Sequence, residues 1–389
     1  MSVQEAKERG RVALEGRLGD LVELSHAIHA RPETAFEEHY AAGRLTEILS
    51  DQGMRVESGI CDLPTAFSAR AGDGPLVVAL CAEYDALPDV GHACGHNIIA
   101  ASSVGAALAL GAVADDLGLT VLVLGTPAEE GGGGKVIMLE RGAFDDAHLA
   151  MMVHPWPSEW LTADCLAVSH FDVHYRGKEA HAAAAPFEGI NAGDAMTVAQ
   201  VALGLLRQQF RPGDQVHGIV RDGGQAANII PAHVSGRFMC RARTLDDLEV
   251  LEPKVRRCFE AGALASGSTL SFDYLAPTYS HMQADPELLA CYRANAEALG
   301  HRFGGDDAGR ALPMVSTDMA NVSLALPTIH PLIAIESNGA VNHQHEFAAA
   351  CVTPSADAAV HDGALALAWT AIDAASNPAL RDRLLARSS

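Results

Sequence analysis

Three apolar runs in the first half of the chain end in side chains that can bind a metal ion or move a proton. The runs are "PLVVALCAEYD", "LTVLVLGTPAEE" and "AHLAMMVHP". The polar side chains at or just beyond their ends are Asp85, Cys94, His96, Glu129, Glu130 and His154. Zn²⁺ and Mn²⁺ take thiolate, imidazole and carboxylate donors in proteins. Each residue alone is typical of a loop or a core, but three run ends that agree predict a metal site.

The adjacent carboxylates of Glu129 and Glu130 suit two different tasks. Because neighbouring side chains of an extended segment point to opposite sides, one carboxylate can bind metal while the other faces a water molecule. A carboxylate beside that water can take its proton as the water attacks a carbonyl carbon. The glycines at 131–134 leave room for backbone to approach a ligand, although a flexible turn before a helix also explains them.

The runs that carry these residues have the pattern of strands buried on both faces, because they are apolar without alternation. Helix-like segments at 98–114 and 135–141 lie between them, and residues 17–55 have apolar positions at helical spacing. Strands that alternate with helices predict an α/β fold with a mostly parallel sheet. Ligands of such sheets bind beyond the carboxyl ends of the strands, so we expect the three run ends to meet at one edge.

The pattern changes near residue 167, where "AVSHFDVHYRG" and later "HVSGRFMCRARTL" alternate like half-exposed strands. Two long helix-like segments accompany these strands, and the earlier alternation of helix and strand resumes after about residue 277. We therefore predict a discontinuous catalytic metal-binding domain at 1–167 and 277–389, with an α+β domain inserted at 168–276.

The composition argues against several classes of partner. The chain has 389 residues and a net charge of -22, and an acidic surface repels phosphate backbones, so we expect no nucleic-acid partner. The charged N-terminus lacks an apolar secretion signal, and the longest apolar stretch, "IIAASSVGAALALGAVA", is too short to span a bilayer. Eight scattered cysteines without an export signal are typical of free thiols or ligands. We expect a cytoplasmic protein with no membrane partner.

Several motifs, spread over nearly the whole chain, resemble the motifs of one family and occur in the same order as in that family. The sequence is similar to the amidohydrolase branch of the aminoacylase and carboxypeptidase-G type of metallopeptidases, and most of all to the subgroup of the p-aminobenzoyl-glutamate hydrolase B subunit and the β-alanyl-lysine-type dipeptidases. The motifs are "ARPETAFEE" (30–38), "EYDALPDVGHACGHN" (83–97), "PAEEGGGG" (127–134), "MMVHP" (151–155), "GKEAHAAAAP" (177–186), "NIIP" (228–231), "STDMANVS" (316–323) and "NHQHEF" (342–347).

The resemblance implies a role for each matching residue near the metals. The implied metal ligands are Cys94, His96, Glu130, His154 and His343. His345 stands where the family often has proline, so the last ligand is either His343 or His345. Glu129 matches the general base, and Asp85 matches an aspartate that orients the site without binding metal. The family's cofactors are two divalent ions, Zn²⁺ or Mn²⁺, with Cys94 as the expected bridging thiolate.

The inserted segment matches the family's lid, which also forms a dimer interface. His181 in "GKEAHAA" matches a histidine that helps to stabilise the oxyanion of the tetrahedral intermediate. Asn228 and Arg241 match positions that hold substrate, although a strand-end turn and a surface charge also explain them. The resemblance therefore implies a homodimer formed through the lid.

These residues predict a metal-dependent hydrolase that cleaves the amide bond of an N-acyl amino acid or a dipeptide-like substrate. A second hypothesis is a catalytically weak partner subunit of a heteromeric amidohydrolase, against which the full ligand set argues. A third is a binding module whose metal is structural, but closed structural zinc sites usually have four Cys or His ligands and no paired glutamate.

Overall fold

A computed structural model describes residues 1–303 and 314–386 of the chain. Contacts between Cα atoms separate the described residues into two units, one drawn from 1–164 and 282–389 and the other from 165–281. Each unit has its own buried apolar side chains. The predicted α/β fold with an inserted α+β segment is confirmed.

The secondary-structure elements are numbered along the chain. Up to residue 164 they are α1 (Val3–Glu15), α2 (Leu18–His29), α3 (His39–Asp51), β1 (Arg55–Ser58), β2 (Phe67–Ala71), β3 (Leu76–Glu83), α4 (His96–Gly111), α5 (Ala114–Leu117), β4 (Leu119–Thr126), α6 (Gly134–Glu140), β5 (Leu149–Met151) and β6 (His154–Trp156). Next come β7 (Asp164–Cys165), β8 (Ala167–Arg176), α7 (Ala192–Leu206), β9 (Gln215–Asp222), β10 (His233–Ala242), α8 (Leu245–Ser266) and β11 (Thr269–Tyr274). The described elements that follow are α9 (Pro286–Ala298), β12 (Met314–Val315), α10 (Met319–Ala325), β13 (Thr328–Ile329), β14 (Leu332–Ala334), α11 (His345–Ala350), α12 (Pro354–Ser376) and α13 (Pro378–Leu385).

The first unit is built on a six-stranded sheet in the order β1-β2-β4-β3-β5-β13. Strands β4, β3, β5 and β13 run parallel, and β1 and β2 add an antiparallel edge. Every residue of β3 and of β4 is buried, which explains why these strands are continuous apolar runs. Their carboxyl ends, at Glu83 and Thr126, are directly paired and therefore lie at the same edge.

Helix α4 is buried along most of its length against this sheet. A Cβ atom added at Gly105 would lie 2.9 Å from Ala364 of α12 and 3.0 Å from Leu14 of α1 and Leu21 of α2. The glycine therefore lets three helices pack closely on α4, and a helix enclosed on all sides is apolar all round. This explains why the longest apolar stretch of the sequence is a core helix. No helix in the described ranges is long and apolar enough to cross a bilayer.

The second unit contains a four-stranded antiparallel sheet in the order β11-β8-β10-β9. Helices α7 and α8 pack together and contribute to one apolar core with the sheet. The rings of Phe171, Phe238 and Phe259 meet in this core, the last two edge to face with centroids 4.8 Å apart. From Gly236 to Ala242 of β10 buried and partly exposed residues alternate, as the pattern predicts, whereas seven of the ten residues of β8 are buried.

Candidate metal centre and active site

His96 is the first residue of α4 and is held by a buried carboxylate. The Nδ1 atom of His96 lies 3.0 Å from Oδ1 of Asp85, and both side chains are almost completely buried. This contact leaves Nε2 of His96 facing away from Asp85 with no hydrogen-bond partner among the described residues. A carboxylate behind a histidine is the usual arrangement for a histidine that binds metal through its other nitrogen.

The turn that precedes α4 places Cys94 and His96 on either side of a glycine. Gly95 has a φ of 74°, in the left-handed region, and a Cβ atom added there would collide with the ring of Pro155. Only glycine combines this backbone conformation with so close an approach. Both flanking side chains are thereby brought to the sheet edge near His154, which precedes Pro155.

The loop between β4 and α6 carries Glu129 and Glu130. Ala128 has a φ of 59°, an uncommon conformation for a residue with a side chain, and its carbonyl accepts hydrogen bonds from Gly132 and Gly133 at 2.9 Å. The backbone N–H of Glu130 donates to Oδ2 of Asp85 at 3.0 Å. Asp85 therefore positions both a histidine of α4 and the backbone of this loop.

Six of the predicted site residues come together in three overlapping groups of possible metal ligands. Within each group one donor atom from each residue lies within 4.8 Å of the others. The groups are Cys94–His96–His154, Cys94–Glu130–His343 and His96–Glu129–Glu130. The first two groups share Cys94, so they describe two adjacent positions with one thiol between them.

The donor atoms of these groups fit divalent cations. Nε2 of His96 and Oε1 of Glu130 are buried without a hydrogen-bond partner among the described residues, which is costly unless something else satisfies them. Nε2 of His96 lies 3.9 Å from Glu129 and 4.0 Å from Glu130. Nδ1 of His154 contacts the carbonyl of Pro155 at 2.8 Å, which leaves its Nε2 for another ligand. A set of sulfur, nitrogen and oxygen donors suits zinc, and the histidines and carboxylates also suit manganese.

Burial and neighbouring charges shift the pKa values of both histidines, in opposite directions. Burial lowers the pKa of His96, but Asp85 and the other carboxylates outweigh burial and hold that pKa well above its ordinary value. Burial, together with His330 and His96, lowers the pKa of His154 to about 3, so His154 is neutral and can donate its lone pair. His154 therefore has the protonation state that metal binding needs.

Two acidic members of the ligand groups, Cys94 and Glu129, have raised pKa values. Burial first, and then the charge of Glu130, raises the pKa of the Cys94 thiol well above its usual range. Burial, together with Glu83 and Glu130, also raises the pKa of Glu129. A bound divalent cation opposes both shifts by stabilising the anionic forms. A carboxylate whose pKa is raised holds a proton more tightly, which suits a group that accepts a proton and later returns it.

The structure places His343 in one group of possible ligands, with Cys94 and Glu130, whereas His345 lies in none of these groups among the described residues. His343 has a φ of 70°, and its backbone N–H donates to the carbonyl of Ala93 at 3.0 Å. Its Nε2 lies 3.7 Å from Oε2 of Glu130, although the side chain is 62% exposed. His345 is the first residue of α11.

The other three predicted residues lie in the second unit. His181 is exposed, and its Nδ1 accepts hydrogen bonds from the backbone of Ala183 and Ala184. Asn228 is exposed and contributes its carbonyl to the backbone of the same turn. Arg241 lies in β10, where its Nε donates to Nε2 of His217 at 3.3 Å.

Several buried polar residues around this centre are not predicted from the sequence. Glu83, Lys135 and Asp318 form ion pairs inside the first unit, and His330 lies beside His154 with both ring nitrogens unpartnered among the described residues. Glu38 accepts a hydrogen bond from the backbone of Ala128. Glu38, Glu83 and Asp318 lie within the motifs quoted from the sequence, and that position is the sequence feature that could have identified them as site residues. For Lys135 and His330 the sequence offers only their neighbourhood to a motif or a strand.

The comparisons with known proteins agree with this geometry. Residues 79–365 match the peptidase family M20/M25/M40. The Xaa-Arg dipeptidase of Mus musculus is 40% identical over 371 residues, which are 92% of this chain and 86% of that protein. The p-aminobenzoyl-glutamate hydrolase B subunit of Escherichia coli (strain K12) is 30% identical over 290 residues, which are 69% of this chain and 60% of that protein.

Solved structures show the same fold at lower sequence identity. The aminobenzoyl-glutamate utilization protein from Klebsiella pneumoniae matches with a TM-score of 0.71 and 17% identity, over 92% of this chain and 97% of that one. The Bacillus subtilis YXEP protein, a dinuclear metal binding peptidase from the M20 family, matches with a TM-score of 0.67 and 20% identity, over 92% and 99% of the chains.

Proposed function

We propose a specific activity for this chain, which belongs to peptidase family M20/M25/M40 and is a metal-dependent amidohydrolase. The proposed activity is hydrolysis of the peptide bond of small dipeptides, with a dipeptide that ends in arginine as the leading substrate. The choice of substrate comes from the Xaa-Arg dipeptidases, which match 92% of this chain at 39–40% identity. N-acyl amino acids are the other substrates of the proposal.

The observation that carries the proposal is the pair of ligand groups that share Cys94. One group adds His96 and His154, and the other adds Glu130 and His343. Two divalent ions held at these positions would polarise the carbonyl of the scissile bond and lower the pKa of a water molecule. These five residues would hold the ions, with Cys94 common to both groups and His343 as the last ligand.

Glu129 is the proposed general base. Its carboxylate lies 3.9 Å from Nε2 of His96, so it faces the same space as the ligand atoms. It takes a proton from the water that attacks the amide carbon and returns that proton to the leaving amine, so that water and amide become an acid and an amine. Asp85 holds His96 in place throughout, because it binds the nitrogen that faces away from the ligand group.

The assignments in the second unit rest on the resemblance. His181 would stabilise the oxyanion, and Asn228 and Arg241 would hold the carboxylate of the substrate. A charged or hydrogen-bonding group at the oxyanion contributes most where it is already oriented before the reaction. The two backbone hydrogen bonds to Nδ1 of His181 orient its ring in this way and leave Nε2 available.

The proposal includes a homodimer that forms through the second unit. Strand β9 is an edge strand of its sheet, and Ile219 and Val220 of β9 are 64% and 43% exposed. Val201 and Leu205 of α7 are also exposed, and an edge strand with apolar side chains is a natural site for pairing with another chain. Ile219→Lys should therefore give a monomer in light scattering at a concentration where the unmodified protein is dimeric; a dimer in both would contradict this part of the proposal.

The test of the activity is a substrate screen on the purified chain after removal of metal and reconstitution with Zn²⁺ or with Mn²⁺. Dipeptides that end in arginine or lysine, N-acyl amino acids and p-aminobenzoyl-glutamate are the substrates. We expect release of the C-terminal amino acid only in the reconstituted protein, and the better metal identifies the native ion. Absence of hydrolysis from a protein that binds two ions would contradict the proposal and would favour the partner-subunit hypothesis. A cytoplasmic location remains part of the proposal and needs its own localisation experiment.

A further inference from the structure

Three charged side chains from distant segments meet in the interior of the first unit. Nζ of Lys135 lies 2.6 Å from Oε1 of Glu83 at the end of β3 and 2.6 Å from Oδ1 of Asp318 just before α10. All three side chains have 0% exposure. Placing charges in the interior costs free energy unless each one is paired closely, so this arrangement calls for an explanation beyond general stability.

Lys135 directly follows the loop that carries Glu129 and Glu130. The backbone N–H of Lys135 donates to Oδ2 of Asp318 at 2.8 Å, so Asp318 binds both the main chain and the side chain of the lysine. Because this N–H lies in the first turn of α6, a carboxylate there also stabilises the start of the helix. The end of the loop is thereby tied to Asp318 at two points.

The beginning and middle of the loop are held by two other carboxylates. Glu38 accepts a hydrogen bond from the backbone of Ala128 at 3.0 Å, and Asp85 accepts one from the backbone of Glu130 at 3.0 Å. These two hydrogen bonds orient the main chain, which contains the strained residue Ala128. They do not connect the end of the loop to the strand beside it, and the side chain of Lys135 makes that connection through Glu83.

Glu83 connects the ion pairs to the metal ligands. Its Oε2 lies 3.5 Å from Nε2 of His96, the atom that also lies 4.0 Å from Glu130. The contact of Oε1 with Nζ of Lys135, at 2.6 Å, is shorter than the 3.5 Å contact of Oε2 with His96, so the ion pair with Lys135 holds the side chain of Glu83 beside His96. Lys135 thus pairs with Glu83, which lies beside His96. Lys135 also ends the loop that carries Glu130 and is tied there to Asp318.

We propose that Lys135 is a positioning residue of the metal centre, which sets the separation of Glu130 from His96 through its ion pairs with Glu83 and Asp318. The proposal rests on the proposed function for the identity of the ligands. Without the ammonium group, Glu83 and Asp318 repel each other, the end of the loop is released, and Glu130 moves away from its position. The metal position that includes Glu130 should then weaken more than the position formed by Cys94, His96 and His154.

The experiment is metal binding to Lys135→Met, measured by titration of the metal-free protein with Co²⁺ and by metal analysis after dialysis. Absorption from cobalt bound to the Cys94 thiolate follows the centre directly, so the readout does not depend on turnover. We expect two ions in the unmodified protein and about one in the variant, with the affinity for the second ion at least 10-fold lower, as for other residues that orient ligands. Two ions bound with unchanged affinity in the folded variant would overturn the proposal.

The matched control is Lys7→Met, because Lys7 also forms a mostly buried ion pair, 2.7 Å from Asp373. If Lys135 had only a structural role, both variants would lose stability and both would keep two ions. Loss of the second ion in both variants would overturn the proposal as well, because the loss would then follow from removing any mostly buried ion pair and would not be specific to Lys135. The control should keep both ions even if its melting temperature falls.

Asp318→Asn is the second variant, for the case in which Lys135→Met does not fold. It leaves the balanced pair of Lys135 with Glu83, and an amide oxygen can still accept the backbone hydrogen bond of Lys135. We expect a smaller but measurable loss of affinity for the second ion, and unchanged affinity would overturn the proposal. If the unmodified protein binds two ions but hydrolyses no substrate, the proposed function fails while these titrations still decide the role of Lys135.

Discussion

Asp85 shows how few side chains set the geometry of the centre. One of its oxygens contacts Nδ1 of His96, and the other accepts the backbone N–H of Glu130. A single buried carboxylate therefore relates a proposed ligand at the start of α4 to a proposed ligand in the loop after β4. An amide group cannot replace both oxygens of this carboxylate, because the NH₂ group of an asparagine cannot accept a hydrogen bond.

Replacement of this carboxylate should weaken metal binding. In Asp85→Asn the amide can satisfy only one of the two contacts as an acceptor, so we expect the affinity for the metal to fall about 10- to 100-fold. Calorimetric titration of the metal-free protein measures this affinity. Asp89→Asn is the control, because Asp89 is an exposed residue of the same loop. Equal affinities in the two variants would show that the contacts of Asp85 do not matter for the metal.

Replacement of Glu129 should separate metal binding from catalysis. Glu129→Gln keeps the size of the side chain but cannot accept the proton of the attacking water, so kcat should fall roughly 10²- to 10⁴-fold. The two groups that share Cys94 do not include Glu129, so metal content should stay close to that of the unmodified protein. Substantial retained turnover on the substrate identified in the screen would exclude Glu129 as the general base.

The clustering of the proposed ligands could be predicted from the sequence, but some of their partners could not. Cys94, His96 and His154 follow apolar runs, and that position indicates a site at a sheet edge. The choice between His343 and His345 depends on the left-handed backbone conformation of His343. The spacing of two histidines in the sequence does not indicate that conformation. Lys135 follows four glycines and has the local pattern of a surface charge, because its partners come from distant parts of the chain.

At the scale of elements, the strands that build the site follow from their composition and the irregular segments do not. Strands β3 and β4 are buried on both faces, so their apolar runs identify them. Strand β1 is short, polar and mostly exposed at the sheet edge, and its sequence has no such signal. The helical region predicted at 17–55 is divided by residues 30–38, where Pro32 cannot continue a helix and Glu38 turns back toward the loop of Glu129.

The turn at the start of α4 gives a prediction at this scale. Gly95→Ala adds a methyl group that collides with Pro155, in a backbone conformation that costs of the order of 1–3 kcal/mol for a residue with a side chain. We expect displacement of Cys94 and His96 and loss of bound metal. Gly91→Ala is a matched control, because Gly91 also has a positive φ but a Cβ atom there would lie 4.0 Å from Pro32. Metal analysis of both variants decides the matter, and equal retention of metal would contradict the role of the turn.

At the scale of the whole molecule, the first unit must assemble from segments separated by the inserted residues 165–281. One connection between such segments is a cluster of ionisable groups. Nδ1 of His301 lies 2.6 Å from Glu159, which precedes the insertion, and Nε2 of His301 lies 3.2 Å from Asp362 of α12. The most exposed of these three side chains is Asp362, at 24%, so water screens the pairs only in part.

This cluster should make the stability of the first unit depend on pH. Hydrogen bonds to Asp362 and Glu159 raise the pKa of His301 to about 9, against 6.5 for an ordinary histidine. A raised pKa means that the folded state holds the proton more tightly, so the stabilisation is complete below about pH 6.5 and disappears as pH rises through about 9. Burial alone would raise the pKa of Asp362, but its two histidine partners lower it to about 2, so its contribution disappears only as pH falls from about 3.8 toward 2.

His301→Gln should therefore lower the melting temperature most between about pH 4 and pH 6.5, with a loss of roughly 1–3 kcal/mol, and very little at pH 10. Thermal unfolding of the metal-free protein across this range, beside the exposed control His39→Gln, measures the difference; a deficit that is the same at pH 6 and pH 10 would mean that the imidazole contributes by packing and not by its charge.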